Sequence, residues 1–534
     1  MPSFYYCFNN SRRSCDTEVK SIMKIKKKEE SIFNSAKGVL FLVLIFKIIG
    51  FIKQTFIAYY FGANTETDIF FASYDFIYGV STSIFTAVGV AVISIYATAR
   101  EEKGIEYVDG LISKIFIISL FFALCLCFCI IFFSPYISEL IAPSYSTENI
   151  TVLKLYLKIL APMVLLIAFQ GLSVSILEAN KYFKITKLNS LILSLAMIAS
   201  CVFLSERFHV MSLAIANYVS KITFTVLLVF FLRKCFGFTI GGSIVTDEVI
   251  LILRRAIPLV LGNGIVWINM IVDNSIASSI GTGTISALSY CYALEEFVTK
   301  LAIVNITNII FVHLAEKIAQ RQIEGVQDLF TNSAHILVCV LIPVTVVSVV
   351  FSENIVALVY YRGNFSYEIV KLTALALAGY AISFPLIGLQ ELSTKTMYAF
   401  GETAKPMISS TISVTVNIVF SIVLSKYIGI LGIALGTSIS YFVRIGMNLY
   451  YVKRFLPQSM GKNQKMFVLK IVLVTIVLFG AAILLRKLDF PPFLMLTIST
   501  IVIFSVSFFL FCILDIKEIK TAAHKVRKRL FKLM

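Results

Sequence analysis

Apolar runs of roughly twenty residues follow one another from end to end of this chain, each long enough to cross the ~30 Å hydrocarbon core of a bilayer. That feature restricts the possible folds more than any motif does. Within lipid, backbone polar groups must find partners inside the protein, which leaves helices and closed barrels. These runs are continuous rather than alternating, which leaves helices. Of the 534 residues, 58% are hydrophobic and only 14% are charged, and no stretch between runs could make a soluble domain of ordinary size. The chain reads as an all-α polytopic membrane protein, which argues against a soluble catalytic module. About fourteen spans are expected, at 37–60, 68–97, 111–134, 154–177, 185–205, 209–232, 252–275, 284–314, 329–351, 368–393, 405–425, 429–452, 466–486 and 491–514.

A formal net charge of +17 would suit a nucleic-acid partner, but the basic residues gather in connections and at both ends, as membrane topology requires. Counted on alternate sides, roughly 34 lysines and arginines fall on the side holding both termini and roughly six on the other. Both termini are therefore expected in the cytoplasm, with VYYRGNF (358–364) outside and no nucleic acid bound. The tail KEIKTAAHKVRKRLFKLM alternates basic and apolar residues and suits the anionic inner leaflet. Residues 1–30 hold no cleavable secretory pattern, and Met23, before KIKKKEE, is an alternative start. The ten cysteines are scattered. Three of them, Cys125, Cys127 and Cys129, share one span without zinc spacing, and the cysteines read as packing residues.

The stretch IVDNSIASSIGTGTISALSYCYALEEF (271–297) concentrates the polar chemistry of the spans. Asp273 lies near the end of one apolar run, Gly281, Thr282 and Gly283 interrupt it, and the next run carries Glu295, Glu296 and Lys300. Charges in a membrane are costly and normally face a protein interior or a wet cavity; the alternative for Asp273 is a helix end at the interface. IKQTFIAYYFG (52–62) and IVDNSIASSIG (271–281) share a short pattern about 219 residues apart, as two homologous six-helix lobes would, with the substrate site where the halves meet. Lys47 and Lys53 lie inside the first span, about 120° apart and ~9 Å along a helix axis. They suit phosphate or pyrophosphate in one wide cavity, or snorkel to an interface. Asp68 is a lysine partner or a cap for the second helix. Asn417 and Ser421 share a face of span 11, and Thr437 sits in span 12. With a carboxylate and a backbone carbonyl they suit a hard monovalent cation, or they are interhelical hydrogen-bond glue. There is no Walker loop, G-x-S-x-G or H-E-x-x-H, so transport would draw on an ion gradient, the membrane potential or the substrate's own gradient.

Four stretches carry a family resemblance: GFIKQTFIAYYFGANTETDIFFAS, IVDNSIASSIGTGTISALSYCYAL, VYYRGNF, and TMYAFGETAKPMISSTISVTVNIVFSIVLSKYIGILGIALGTS. In these the chain resembles the MurJ (MviN) lipid II flippases of the multidrug/oligosaccharidyl-lipid/polysaccharide exporter superfamily. The resemblance implies alternating access around a cationic central cavity lined by spans 1, 2, 7 and 8, and a lipid-tail groove beside spans 13 and 14. It implies an undecaprenyl-pyrophosphate-linked substrate, peptidoglycan synthesis, and a monomer among the lipids of the bacterial cytoplasmic membrane. Lys47 and Lys53 match cavity positions that are typically arginine, and Asp68 matches the acid of its loop. Ser81 and Thr82 stand where paired arginines are usual, and Ala293 where another is. A sodium site of some members is matched by Asp273, Asn417, Ile433 (through its carbonyl) and Thr437, with Ser421 in place of a second carboxylate; a proton is the other coupling ion.

The organisation expected is a basic N-terminal segment (1–36), an N-lobe (37–232), a C-lobe (233–455), spans 13 and 14 (456–515) and a basic tail (516–534). No catalytic residue is expected. A flippase for another lipid-linked oligosaccharide and a drug/cation antiporter of the same superfamily are the competing functions.

Overall fold

A computed structural model describes residues 45–516 apart from 240, 242, 458–461 and 489. The alternative start, the N-terminal segment, the first residues of span 1 and the basic tail lie outside the described residues. Among those described there are helices and no strands. They are α1 (45–61), α2 (Thr65–Lys103), α3 (Ile105–Phe132), α4 (Ser134–Ile141), α5 (Thr147–Leu160), α6 (Met163–Ala179), α7 (Phe183–Phe208) and α8 (Met211–Leu232). Then come α9 (Asp247–Ile280), α10 (Thr284–Val298), a π-helical turn (Thr299–Val304), α11 (Asn305–Ala319), α12 (Ile323–Val350), α13 (Ser352–Tyr360), α14 (Tyr367–Ala381) and α15 (Phe384–Ala399). The chain ends with α16 (Ala404–Ile428), α17 (Ile430–Val452), α18 (Lys462–Arg486) and α19 (Pro492–Ile513).

Ten of these helices are long and apolar enough to cross a membrane, and twelve spans result if each of two bent pairs is one span. The other two of the fourteen expected are α1 and the segment from α10 to α11, which carries Glu295, Glu296 and Lys300 and is broken by the π-helical turn. Spans 4 and 10, expected as single helices, are bent by 43° between α5 and α6 and by 44° between α14 and α15. Prolines stand at both bends, Pro162 before α6 and Pro385 in the first turn of α15, and proline removes a backbone donor and clashes with the preceding turn.

The two bends belong to a repeat that runs through the fold. Thr65 and Thr284, Ile105 and Ile323, Ser134 and Ser352, Thr147 and Tyr367, Phe183 and Ala404, and Met211 and Ile430 begin corresponding helices. α18 and α19 stand outside this repeat and pack on α12 and α13. Large apolar side chains such as Phe121, Phe128 and Phe132 of α3, and Phe493 and Phe509 of α19, are exposed, as lipid-facing surfaces require.

The halves meet differently at the two ends. At one end, Ile57, Phe61 and Phe70 of the first half share an apolar core with Ile285, Tyr290, Tyr360 and Phe365 of the second. Toward the other end the cores are separate, one around Ile112, Phe116 and Leu228, another around Phe330, Phe384 and Leu392. α9 crosses between them: Val249 and Ile252 pack with the first-half core, although the sequence places this helix in the second lobe. Lys103 and Tyr107 also reach Glu248, at 3.4 and 2.7 Å.

Midway, Gly79 of α2 lies under the Trp267 ring of α9, where an added Cβ would stand 2.4 Å from a ring carbon. Alanine is intrinsically the better helix former by ~1 kcal/mol, so Gly79→Ala should stabilise an isolated helix. Here it should instead cost ~1–3 kcal/mol through overpacking and lower the thermal unfolding temperature in detergent; a raised temperature would show that α2 and α9 separate freely.

Candidate functional site

At the joined end, short turns from three places converge. α1 stops at Gly62, whose backbone is left-handed (φ +64°), and Asn64 caps α2 reciprocally with Thr67. α9 likewise stops before Gly281 and Gly283, and the turn between α13 and α14 carries Gly363. The close approach demands these glycines: a Cβ on Gly363 would lie 2.3 Å from the Tyr59 carbonyl oxygen, and one on Gly283 would lie 2.8 Å from that of Ala63. The Asn364 amide donates to the Tyr59 carbonyl (3.0 Å) and its side chain to that of Tyr60 (2.6 Å). The Tyr290 hydroxyl donates to the Gly62 carbonyl (2.7 Å).

Asp68 is the charged centre of this end. It is fully buried and accepts from the Gly283 N–H (2.7 Å), the Ser286 N–H (2.7 Å), the Ser286 hydroxyl and the Tyr145 hydroxyl (3.2 Å). Burial and the neighbouring carboxylate push the Tyr145 phenol up, so it stays protonated as a donor. Neither reading of Asp68 made from the sequence describes this: Asn64 supplies the cap, and no lysine among the described residues pairs with the carboxylate. Its donors come chiefly from the other half of the molecule.

The central cavity, about 300 Å³, lies between α1, α2 and α7 on one side and α9 and α10 on the other. Lys47 and Lys53 both line it, with Gln54, Tyr74, Asp75, Tyr292 and Glu296. Lys47 Nζ is 3.3 Å from Glu296 Oε1, and Lys300 pairs with the same carboxylate. Asp75 is bonded by Asn274 and acts electrostatically on Lys53. The charged lining is two lysines and two carboxylates, and Lys300, which shares Glu296, gives the group one more cation than anion. Ser81 and Thr82 are absent from the lining; their hydroxyls donate to the carbonyls of Ile77 and Tyr78 one turn back, a bond that hydroxyls in apolar helices make readily. Asp75 was overlooked in the sequence although it obeys the rule that singled out Lys47, a charge well inside an apolar span.

The structure brings Asp273, Asn417, Ser421, Ile433 and Thr437 together where α9 meets α16 and α17. Asn417 donates to Thr437 Oγ1 (2.7 Å), Ser421 to Asn417 Oδ1 (3.3 Å), and both hydroxyls reach the Ile433 carbonyl at 3.4 Å. Ser421 also faces the Asp273 carboxylate. Asp273 is 1% exposed, so it faces the protein interior. Its Oδ2 accepts from Asn269 and Tyr292, each at 3.1 Å, while Oδ1 has no hydrogen-bond partner. An orphaned carboxylate oxygen among hydroxyl, amide and carbonyl oxygens fits a hard monovalent cation. Among the described residues, no group of histidine, cysteine and acidic side chains could hold a transition metal.

A sequence model of the family described as "Lipid II flippase MurJ" matches residues 57–504. The "Probable lipid II flippase MurJ" of Buchnera aphidicola subsp. Baizongia pistaciae is 27% identical over 445 residues, covering 80% of this chain and 84% of the relative. That of Rickettsia prowazekii is 23% identical over 457 residues, covering 83% and 88%. Among solved structures, a lipid II flippase MurJ in an inward closed conformation superposes with a TM-score of 0.76 at 24% identity, covering 90% of this chain and 98% of that one. An inward-facing transporter of the multidrug resistance MATE family gives 0.67 at 16% identity, covering 78% and 96%. At these identities the superpositions show the fold alone.

The Asp68 cluster should control access to the joined end. In a background without reactive native cysteines, buried Ala287→Cys should label slowly with a water-soluble maleimide in membrane vesicles. Adding Asp68→Asn should raise the rate about tenfold or more, since each charge-assisted bond contributes ~1.5–3 kcal/mol. Unchanged labelling would show that apolar packing alone holds this end.

Proposed function

This chain belongs to the family of MurJ lipid II flippases, and on that premise we propose that it moves lipid II across the bacterial cytoplasmic membrane for peptidoglycan synthesis. It works as a monomeric multi-pass transporter with both termini in the cytoplasm and without enzymatic chemistry. The observation that supports this reading best is that Lys47 and Lys53 open into one cavity between halves that are joined at one end and parted toward the other. The pyrophosphate enters from the parted side, and Lys47 exchanges Glu296 for a phosphate oxygen. An arriving pyrophosphate brings negative charge that a co-bound cation helps to offset.

That cation is sodium or a proton, held by Asp273 with Asn417, Ser421, Thr437 and the Ile433 carbonyl. It drives the cycle only by binding one orientation of the halves more tightly than the other. Asp68 acts at the joined end as a latch, and like Ser81 and Thr82 it lies outside the cavity lining.

Depletion of a bacterial host's own lipid II flippase should be rescued by this chain; failure of correctly inserted protein to restore growth would turn the reading toward another lipid-linked oligosaccharide or a cation antiporter. In the rescued host, Lys47→Ala with Lys53→Ala should abolish growth and Lys47→Arg should retain part of it, and normal growth of the double variant at normal abundance would refute pyrophosphate binding by these lysines. In proteoliposomes with imposed sodium or proton gradients, Asp273→Asn should flip substrate without responding to the gradient. A response equal to wild type would remove Asp273 from the coupling.

A further inference from the structure

A second cavity, about 240 Å³, lies among α9, α10, α14 and α17 and has no part in the account so far. The adjacent carboxylates of α10 divide between the two cavities: Glu296 lines the central one and Glu295 this one. Glu296 is paired with Lys47 and Lys300. Glu295 makes neither hydrogen bond nor ion pair among the described residues; Lys300 acts on it only through space, and Arg444, near Tyr441, does not pair with it. A carboxylate at membrane depth without a partner calls for a counter-charge.

The same cavity ends on the Asp273 cluster. Its lining includes Asn269 and Tyr292, which donate to Asp273, and Thr437, which accepts from Asn417. Two acceptor atoms there are shielded from solvent and lack partners, Asp273 Oδ1 and Asn269 Oδ1. Ser383, whose hydroxyl donates to the Tyr380 carbonyl (2.6 Å), and Tyr441 also line it, so the lining offers oxygen atoms of the kind a hard monovalent cation selects. The Asp273 cluster holds one carboxylate, and Glu295 is a second negative charge bordering the same polar region.

We propose that this cavity is a second sodium site in series with Asp273, with Glu295 as its carboxylate. The site receives the cation from water and passes it to the Asp273 cluster. This rests on the coupling role proposed for Asp273 and adds the place where the cation is held on its way.

The chain has one tryptophan, Trp267, and it lines this cavity, so its emission serves as the probe. Purified full-length protein in nanodiscs should show a saturable sodium-dependent change in emission, matched by bound radioactive sodium. Glu295→Gln should raise the half-saturating sodium concentration roughly tenfold or more, because a unit charge a few ångströms away at an effective dielectric of about 20 exceeds that effect, and Glu295→Asp should recover most of it. Tyr441→Phe removes the hydroxyl of a residue that lines this cavity but lies outside the Asp273 cluster, and it should weaken binding severalfold, a test independent of whether the glutamine variant folds. Wild-type sodium binding by Glu295→Gln and Tyr441→Phe, with binding lost in Asp273→Asn, would overturn this site and leave the coupling role standing. Absence of any sodium binding to the wild type would overturn both.

Discussion

Asp68 is a carboxylate buried from solvent with no cation paired to it among the described residues, and the rest of the structure is arranged around satisfying it. Four donors do so, three of them from Gly283 and Ser286 in the opposite half. A buried charge with its donors in place is stable, and so is one fully exposed to water. The state between them, buried and stripped of donors, is not. This end of the molecule is therefore built to be either shut or open. Discrete states of that kind are what alternating access requires, since packed interfaces switch between arrangements and do not deform continuously.

The central cavity obeys a related constraint. Its lysines do not wait as free charges; Glu296 holds Lys47, and Asp75 acts on Lys53. Free cations at membrane depth would be costly without partners, so an anion gains its site by exchange of partners. Tyr292 stands on the wall between this cavity and the one beside it, lining both, and donates to Asp273 while accepting from Tyr380 (2.8 Å). A change in either cavity is thereby one side chain away from the other.

Much of this was legible in the sequence because it rests on local rules. Hydropathy located the spans, the short repeat at Gly62 and Gly281 announced the two halves, and charges within apolar runs marked Lys47, Lys53 and Asp273. Residue types marked Asn417, Ser421 and Thr437 as oxygen donors, while their grouping with Asp273 and the Ile433 carbonyl came from the family resemblance, and the assembly from α9, α16 and α17 depends on packing. What escaped depends on tertiary partners. Three of the four donors to Asp68 lie at least 215 residues away in the chain, and no local pattern reports them. The bends near Pro162 and Pro385 keep the hydropathy of straight spans. Ser81 and Thr82 occupy positions of interest, yet their hydroxyls turn back on their own helix, a choice that spacing does not reveal.

The central claim is that the two ends of the molecule open in alternation around the cavity. It is tested most directly by spin-label distances measured in the same reconstituted preparation. One pair would sit at exposed Glu66 and Glu368, across the joined end, and the other at exposed Glu102 and Glu324, across the parted end. On adding lipid II and sodium, a population should appear in which the first distance lengthens and the second shortens. Transport proceeding while both distances stay fixed, or while both lengthen together, would contradict the account.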